Sequence, residues 1–180
     1  PDVLDRIRRA EVVFPALHGG DGEDGHIQAA LDLLKIPYAL SGHAASALAM
    51  DKGTSKRIMR SAGVPTPDWL QVTWSRRQHE ASGLALEENP TLVRLRDRAA
   101  QELGFPVVVK LNAAGSSVGV AIVEDPANFT AEFARVVAAA PGPRVEVLIE
   151  EFIPGRELTG SVFLGRRLPL VEIKPREGFY

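Results

Sequence analysis

The feature that most constrains this chain is a small-residue loop set between two apolar runs. Val107–Leu111 (VVVKL) and Val120–Glu124 (VAIVE) flank the stretch Asn112-Ala-Ala-Gly115-Ser116-Ser117-Val118-Gly119. Their β-branched residues predict two strands joined by the loop. Small residues let a backbone approach an anion closely, and consecutive N–H groups can cradle phosphate oxygens. Lys110 sits at the end of the first run, where a lone cation calls for a partner such as a nucleotide phosphate. A Walker A loop needs Gly-Lys-Ser/Thr opening a helix, and a dinucleotide-binding turn also needs a helix after its glycines. Here Val120 follows Gly119 and the chain continues as a strand, so both are excluded. The same pattern also suits an ordinary flexible hairpin with Lys110 in water, and spacing alone does not choose.

The rest of the chain divides in two. Asp2–Arg9 reads as a helix end, Glu11–Leu17 as a short buried strand and Ile36–Leu40 as the next strand. Between them, Ile27, Ala30, Leu31 and Leu34 recur at helical spacing, with Asp24 placed to cap the helix. Strand, helix and strand at this spacing form a βαβ unit of a parallel sheet. Helices are expected over His43–Met50 and Lys52–Ala62, with Gly63 as a C-cap, and Pro65 and Pro67 mark a linker. Trp69–Thr73 reads as a strand, and Ser75–Leu103 as a charged surface helix with a loop near Asn89–Pro90. After the glycine loop, Asp125 caps and Pro126 starts a helix through Ala140. Val145–Glu151 is a strand, and Leu158–Leu164 with Leu168–Ile173 form a hairpin around Gly165. The boundary falls near Met50–Lys52. A parallel α/β piece precedes it, and an α+β region with mostly antiparallel strands follows.

Three further places invite chemistry. Val145–Glu151 ends in Glu150 and Glu151, with Glu157 beyond the Pro154-Gly155 turn. Glu150 and the backbone at Glu151–Ile153 could receive an adenine, and Glu157 a ribose; taken alone, solvated glutamates at a strand end are the simpler reading. His18-Gly-Gly-Asp-Gly-Glu-Asp-Gly25 follows a strand and opens a helix, a position that favours anions. His18 there could orient a substrate carboxylate; a glycine-rich turn with solvated acids explains it equally well. Asp21, Glu23 and Asp24 lack EF-hand spacing. Lys52 opens a helix, where a cation is locally unfavourable. A phosphate would explain it, and so would a side chain in water.

Charge is nearly balanced, with 21 Lys and Arg against 23 Asp and Glu, so no nucleic-acid footprint stands out. There are no cysteines, which removes disulfides and thiol chemistry and fits a reducing cytoplasm. No apolar run is long enough to span a bilayer. The chain opens at Pro1 without a methionine and ends at Tyr180 after an apolar-rich segment. Both ends read as cut, and the chain is expected to be an internal piece of a longer protein.

Three stretches in this order resemble the D-alanine–D-alanine ligase family. They are Leu17-His18-Gly19 with Gly22-Glu23-Asp24-Gly25 and Ser41-Gly42; Ser46 through Met50-Asp51-Lys52, with Ser55-Lys56 and Gly63-Val64-Pro65; and Val109-Lys110 with Gly115–Gly119, Leu148-Ile149-Glu150 and Gly155-Arg156-Glu157. The resemblance implies a remnant of a Rossmann-like N-terminal domain over residues 1–50. An ATP-grasp central domain over 51–157 and the start of a C-terminal domain over 158–180 would follow. It implies ATP as nucleotide, held by Lys52, Lys110, Ser117, Val118, Glu150, Glu151, Phe152, Ile153, Glu157 and Tyr180. Ser116 would take part in catalysis, and His18 and Glu23 would lie near the first D-alanine. The implied reaction joins two D-alanines through an acyl phosphate for peptidoglycan synthesis in the cytoplasm. Mg2+ or Mn2+ would assist, and the family commonly forms homodimers.

Departures from the family pattern are local. Leu111 stands where the family usually has Pro, and Glu151 where it often has Lys. The family's ligands for two magnesium ions are expected beyond Tyr180, so no metal ligand is assigned in this chain. The alternatives are another ATP-grasp carboxylate–amine ligase, such as a D-alanine–D-lactate ligase, or a non-catalytic nucleotide-binding module.

Overall fold

Capped helices and β-branched runs build the second half of the chain around one antiparallel sheet. The computed structural model describes residues 3–115 and 118–174. The N-terminal part holds α1 (Val3–Arg8), α2 (His26–Leu33) and α3 (His43–Met50), with a 3-10 turn at Gly20–Gly22. Asp24 Oδ1 accepts the His26 N–H at 3.1 Å, so the expected cap contact forms beside Gly25, which takes the N-cap position. The two strands expected around α2 do not form. Val13 and Tyr38 share a single parallel bridge. Val12 and Phe14 are 58% and 71% exposed. A parallel pair needs cover on both faces and further strands, and neither is present among the described residues.

Next come α4 (Lys52–Ser61), β1 (Trp69–Ser75), α5 (Arg76–Ser82) and α6 (Pro90–Glu102). Asp51 caps α4 by accepting the Thr54 N–H at 2.7 Å. Gly63, at φ 72°, closes its far end, where the Val64 N–H reaches the Met59 carbonyl at 2.9 Å. The region expected as a surface helix with a loop near Asn89–Pro90 forms two helices on either side of such a break. Pro90 starts the second, and Asn89 accepts the Thr91 N–H at 3.0 Å. Far from being all surface, α6 buries Leu92, Leu95 and Ala99 every third or fourth residue.

The remaining elements are β2 (Val107–Leu111), β3 (Val120–Val123), α7 (Phe129–Ala138), β4 (Arg144–Glu151), β5 (Glu157–Thr159), β6 (Val162–Phe163), β7 (Arg166–Arg167) and β8 (Val171–Ile173). A 3-10 turn at Pro126–Asn128 precedes α7, and the Asp125 side chain caps it. As expected, β2 and β3 pair antiparallel on either side of the glycine loop. The hairpin around Gly165 also forms, broken into β6–β7 at its tip and β5–β8 at its base.

The main sheet runs β1-β4-β2-β3. Alternation sends Leu70, Trp74, Val107, Val109, Leu111, Ala121, Val123, Val145, Val147 and Ile149 into one core, where α6 and α7 cover them. Phe129 and Phe133 are fully buried there, and Trp74 meets Phe133 edge to face at 5.5 Å. The other face is split. α4 reaches its β1–β4 half through Arg57 to Gln71 and Lys56 to Glu150. The β2–β3 half faces an open cleft.

Candidate functional site

The cleft lies over the outward residues of β2 and β3, namely Val108, Lys110, Val120 and Ile122. Its volume is about 1020 Å³. Gly115 and Val118 form one rim, residues 150–157 another, and Glu172–Lys174 of the β5–β8 ladder a third. The walls are apolar, with a few charged groups converging on them, as in sites for small ligands.

Glu150 and Lys110 sit diagonally on neighbouring strands, since Lys110 pairs with Leu148. That register brings the lysine ammonium into a direct ion pair with Glu150 Oε1. Glu150 is only 7% exposed, and its other oxygen meets Lys56 Nζ at 2.9 Å. Lys52 approaches from the start of α4. Its Nζ donates to the Ala114 carbonyl at 2.5 Å and the Asn112 carbonyl at 3.3 Å. Lys52 therefore reaches across to the root of the glycine loop instead of pointing into water. Desolvation, reinforced by the Lys110 charge, depresses its pKa. Two lysines thus hold one buried carboxylate, and a third, Lys52, stands beside them at the root of the glycine loop. Lys52 and Lys110 both line the cleft, where an anion could meet them.

Asn112 joins the helix to the loop. Its side-chain oxygen accepts the Gly53 N–H at 2.8 Å, and its own N–H donates to the Glu146 carbonyl at 2.9 Å. Gly119 has φ 64°, and a Cβ there would lie 2.5 Å from Leu111 Cδ1. Both facts demand glycine at the loop's end. Leu111, the residue that departs from the family pattern, fills the space beneath it.

Beyond Glu150, the N–H groups of Glu151 and Phe152 are taken by the Asp68 and Pro106 carbonyls at 3.0 and 3.3 Å. The Ile153 N–H makes no hydrogen bond to another described residue, and Ile153 lines the cleft. Glu151 and Glu157 are exposed at the cleft rim.

A second cavity of about 510 Å³ lies on the far side of Lys52, lined by Glu23, Ser41, Ser46, Met50, Ala114 and Gly115. Lys52, Ala114 and Gly115 line both spaces. Glu23 faces Gly115, whose Cβ position is 3.4 Å from its carboxylate. His18 is exposed and lines neither cavity. Nearby, burial opposes ionisation of Asp24, but hydrogen bonds from His26 hold its carboxyl below the usual range. In turn Asp24 raises the His26 pKa.

Of the residues singled out in the sequence, Lys52, Lys110, Val118, Glu150, Glu151, Phe152, Ile153 and Glu157 gather around one cleft. Ser116, Ser117 and Tyr180 lie outside the described residues. Lys56 and Asn112 were missed as site residues. The four-residue spacing of Lys52 and Lys56 puts both on one helix face, a signal that was available. Nothing in the sequence marks the Asn112 side chain as a partner for α4.

Comparison with known proteins decides the family. A model described as the D-ala D-ala ligase C-terminus matches residues 58–180, and one for the N-terminus of the same ligase matches residues 2–41. The chain belongs to the D-alanine–D-alanine ligase family. A D-alanine–D-alanine ligase from a Synechococcus species is 44% identical over 179 residues, covering 98% of this chain and 48% of the relative. The one from Bacillus anthracis is 36% identical, covering 99% and 52%. A crystal structure of a Bacillus anthracis ligase superposes with TM-score 0.72 at 37% identity, covering 96% of this chain and 50% of that one. A structure of the Bacillus anthracis ligase complexed with ATP gives TM-score 0.73 at 33% identity, covering 99% and 53%. The chain thus spans about half the length of the family members it matches. Like these ligase structures, it is a mixed α/β protein with an antiparallel sheet. No helix among the described residues is long and apolar enough to cross a membrane.

Proposed function

We propose that this chain forms the nucleotide-holding part of an ATP-dependent D-alanine–D-alanine ligase. In this reading residues 1–50 are part of a Rossmann-like domain, 51–157 an ATP-grasp central domain, and 158–180 the start of a C-terminal domain. ATP lies in the cleft over β2 and β3. Lys52, Lys110, Ser117 and Val118 serve its phosphates, and Ser116 takes part in catalysis. Glu150 and the Ile153 N–H receive the adenine edge, the backbone of Glu151 and Phe152 continues that rim, Glu157 takes the ribose, and Tyr180 is a further ATP-binding residue. Glu23, facing the second cavity, lies with His18 toward the first D-alanine. The carboxylate of one D-alanine attacks the γ-phosphate, releasing ADP and forming an acyl phosphate. The amine of a second D-alanine then displaces phosphate and loses a proton, leaving the dipeptide. Positioning and charge neutralisation supply the catalysis that this part contributes.

Magnesium or manganese is the metal such a reaction implies. Among the described residues no group of three clustered ligands lies in the cleft. Glu150 is taken by two lysines, and the one ligand cluster found, Asp21, Asp24 and His26, lines neither cavity.

The observation that carries the proposal is the meeting of Lys52 and Lys110 at one cleft, beside the glycine loop and the buried Glu150. Calorimetric titration with the non-hydrolysable analogue AMP-PNP tests it. Saturable one-to-one binding is expected. Absence of binding at millimolar analogue would overturn the assignment of the cleft.

A further inference from the structure

Glu150 has two lysine partners, and they differ in kind. Lys110 lines the cleft, and its side chain is about one-fifth exposed at 21%. Lys56 does not line the cleft and is 6% exposed. It lies between Glu150 at 2.9 Å, the Thr66 hydroxyl at 2.9 Å and the Trp69 ring, whose centroid is 5.1 Å from Nζ. Arg60 lies over the same ring at 4.4 Å. An ammonium held this way cannot turn to meet a ligand. Lys110 can, because its head group faces the space where the phosphates are placed.

If Lys110 moved to a phosphate, Glu150 would be left to Lys56 alone. We propose that Lys56 is a positioning residue for base selection: its ammonium, 2.9 Å from Glu150 Oε2, holds that carboxylate in one direction while Lys110 engages phosphate. The inference rests on the nucleotide reading above. An ionised Glu150 offers only acceptors. It therefore favours a purine carrying an exocyclic amine at position 6 over one carrying an oxygen there. A Glu150 carboxylate free to turn away from the base edge would lose that distinction. The lysine would thus set the choice between adenine and guanine without touching either base.

The test measures affinities for AMP-PNP, GMP-PNP and inorganic tripolyphosphate, on wild type and on Lys56→Met, Glu150→Gln and the double variant. Wild type is expected to prefer AMP-PNP. Lys56→Met is expected to lower AMP-PNP affinity about tenfold or more, the scale of one charge-assisted hydrogen bond, and to narrow its margin over GMP-PNP. Tripolyphosphate affinity is expected to change by less than about threefold, since the phosphate lysines remain. If Lys56 acts through Glu150, the double variant binds AMP-PNP as Glu150→Gln does, within about twofold. That comparison holds even where Lys56→Met alone fails to fold, because the double variant removes both charges of the buried Lys56–Glu150 pair. A double variant much weaker than Glu150→Gln, or a folded Lys56→Met with the wild-type base preference, would overturn the inference. Wild type binding no nucleotide would instead overturn the reading beneath it.

Discussion

Lys52 carries a charge that its surroundings discourage. Its pKa in the folded chain lies below the ordinary 10.5. Between those two values the folded chain binds fewer protons than the unfolded one, so stability rises with pH through that window. A phosphate beside Lys52 reverses the effect by favouring the ammonium. Nucleotide binding is then expected to take up a proton in this window, and affinity to fall as pH rises through it. Calorimetry in buffers of different ionisation enthalpy reads that proton directly, and Lys52→Met should abolish the buffer dependence. Lys110→Ala is expected to weaken AMP-PNP binding by about 1.5–3 kcal/mol, the contribution of a hydrogen bond to a charged group. Lys110→Arg should recover only part of that loss, because a planar guanidinium differs in shape and reach. Both lysines stood out in the sequence by their places at a helix start and a strand end. Glu150 stood out as well, but for an adenine and not as the partner of Lys110. Which carboxylate Lys110 meets depends on the register of β2 against β4, and register is set by pairing across distant parts of the chain.

Helix ends govern the next scale. Gly25 sits at φ 97°, and a Cβ there would press on the backbone carbonyl of His43. Gly25→Ala is expected to destabilise the packing of α2 on α3 by about 1–3 kcal/mol, through backbone strain and close contact together. A fall in the thermal midpoint by circular dichroism checks this. Loss of the Asp51 cap in Asp51→Ala should cost about 1 kcal/mol by the same measurement. Elements with local punctuation were legible. Asp51, Gly63, Asn89 and Asp125 mark boundaries that the fold keeps. The run Glu11–Leu17 was not, because its apolar residues look like a buried strand. Whether such a run becomes one depends on neighbours it must pair with, not on its own composition.

At the scale of the molecule, the sheet has one covered face and one face covered by α4 only in part. Phe133→Ala, which empties the covered side, is expected to cost about 3–5 kcal/mol, measured by denaturant unfolding. Filling the other side should stabilise the chain. AMP-PNP at one hundred times its dissociation constant is expected to raise unfolding free energy by about 2.7 kcal/mol. The α+β character and the β2–β3 pair were readable from the strand–loop–strand pattern. The order of the sheet was not, because β4, the last of its four strands in the chain, inserts between β1 and β2.

That insertion has a consequence for synthesis. During translation β1 emerges long before the only strand it pairs with in this sheet. At about 5–20 residues per second the wait lasts several seconds. Throughout it, Leu70, Val72 and Trp74 have neither their neighbouring strand nor the α7 surface that later covers this side of the sheet. The newborn chain therefore carries a sticky, unpaired ribbon, the kind of segment that holding chaperones bind. Slowing the ribosome between β1 and β4 should lengthen that exposure, and speeding it should shorten it.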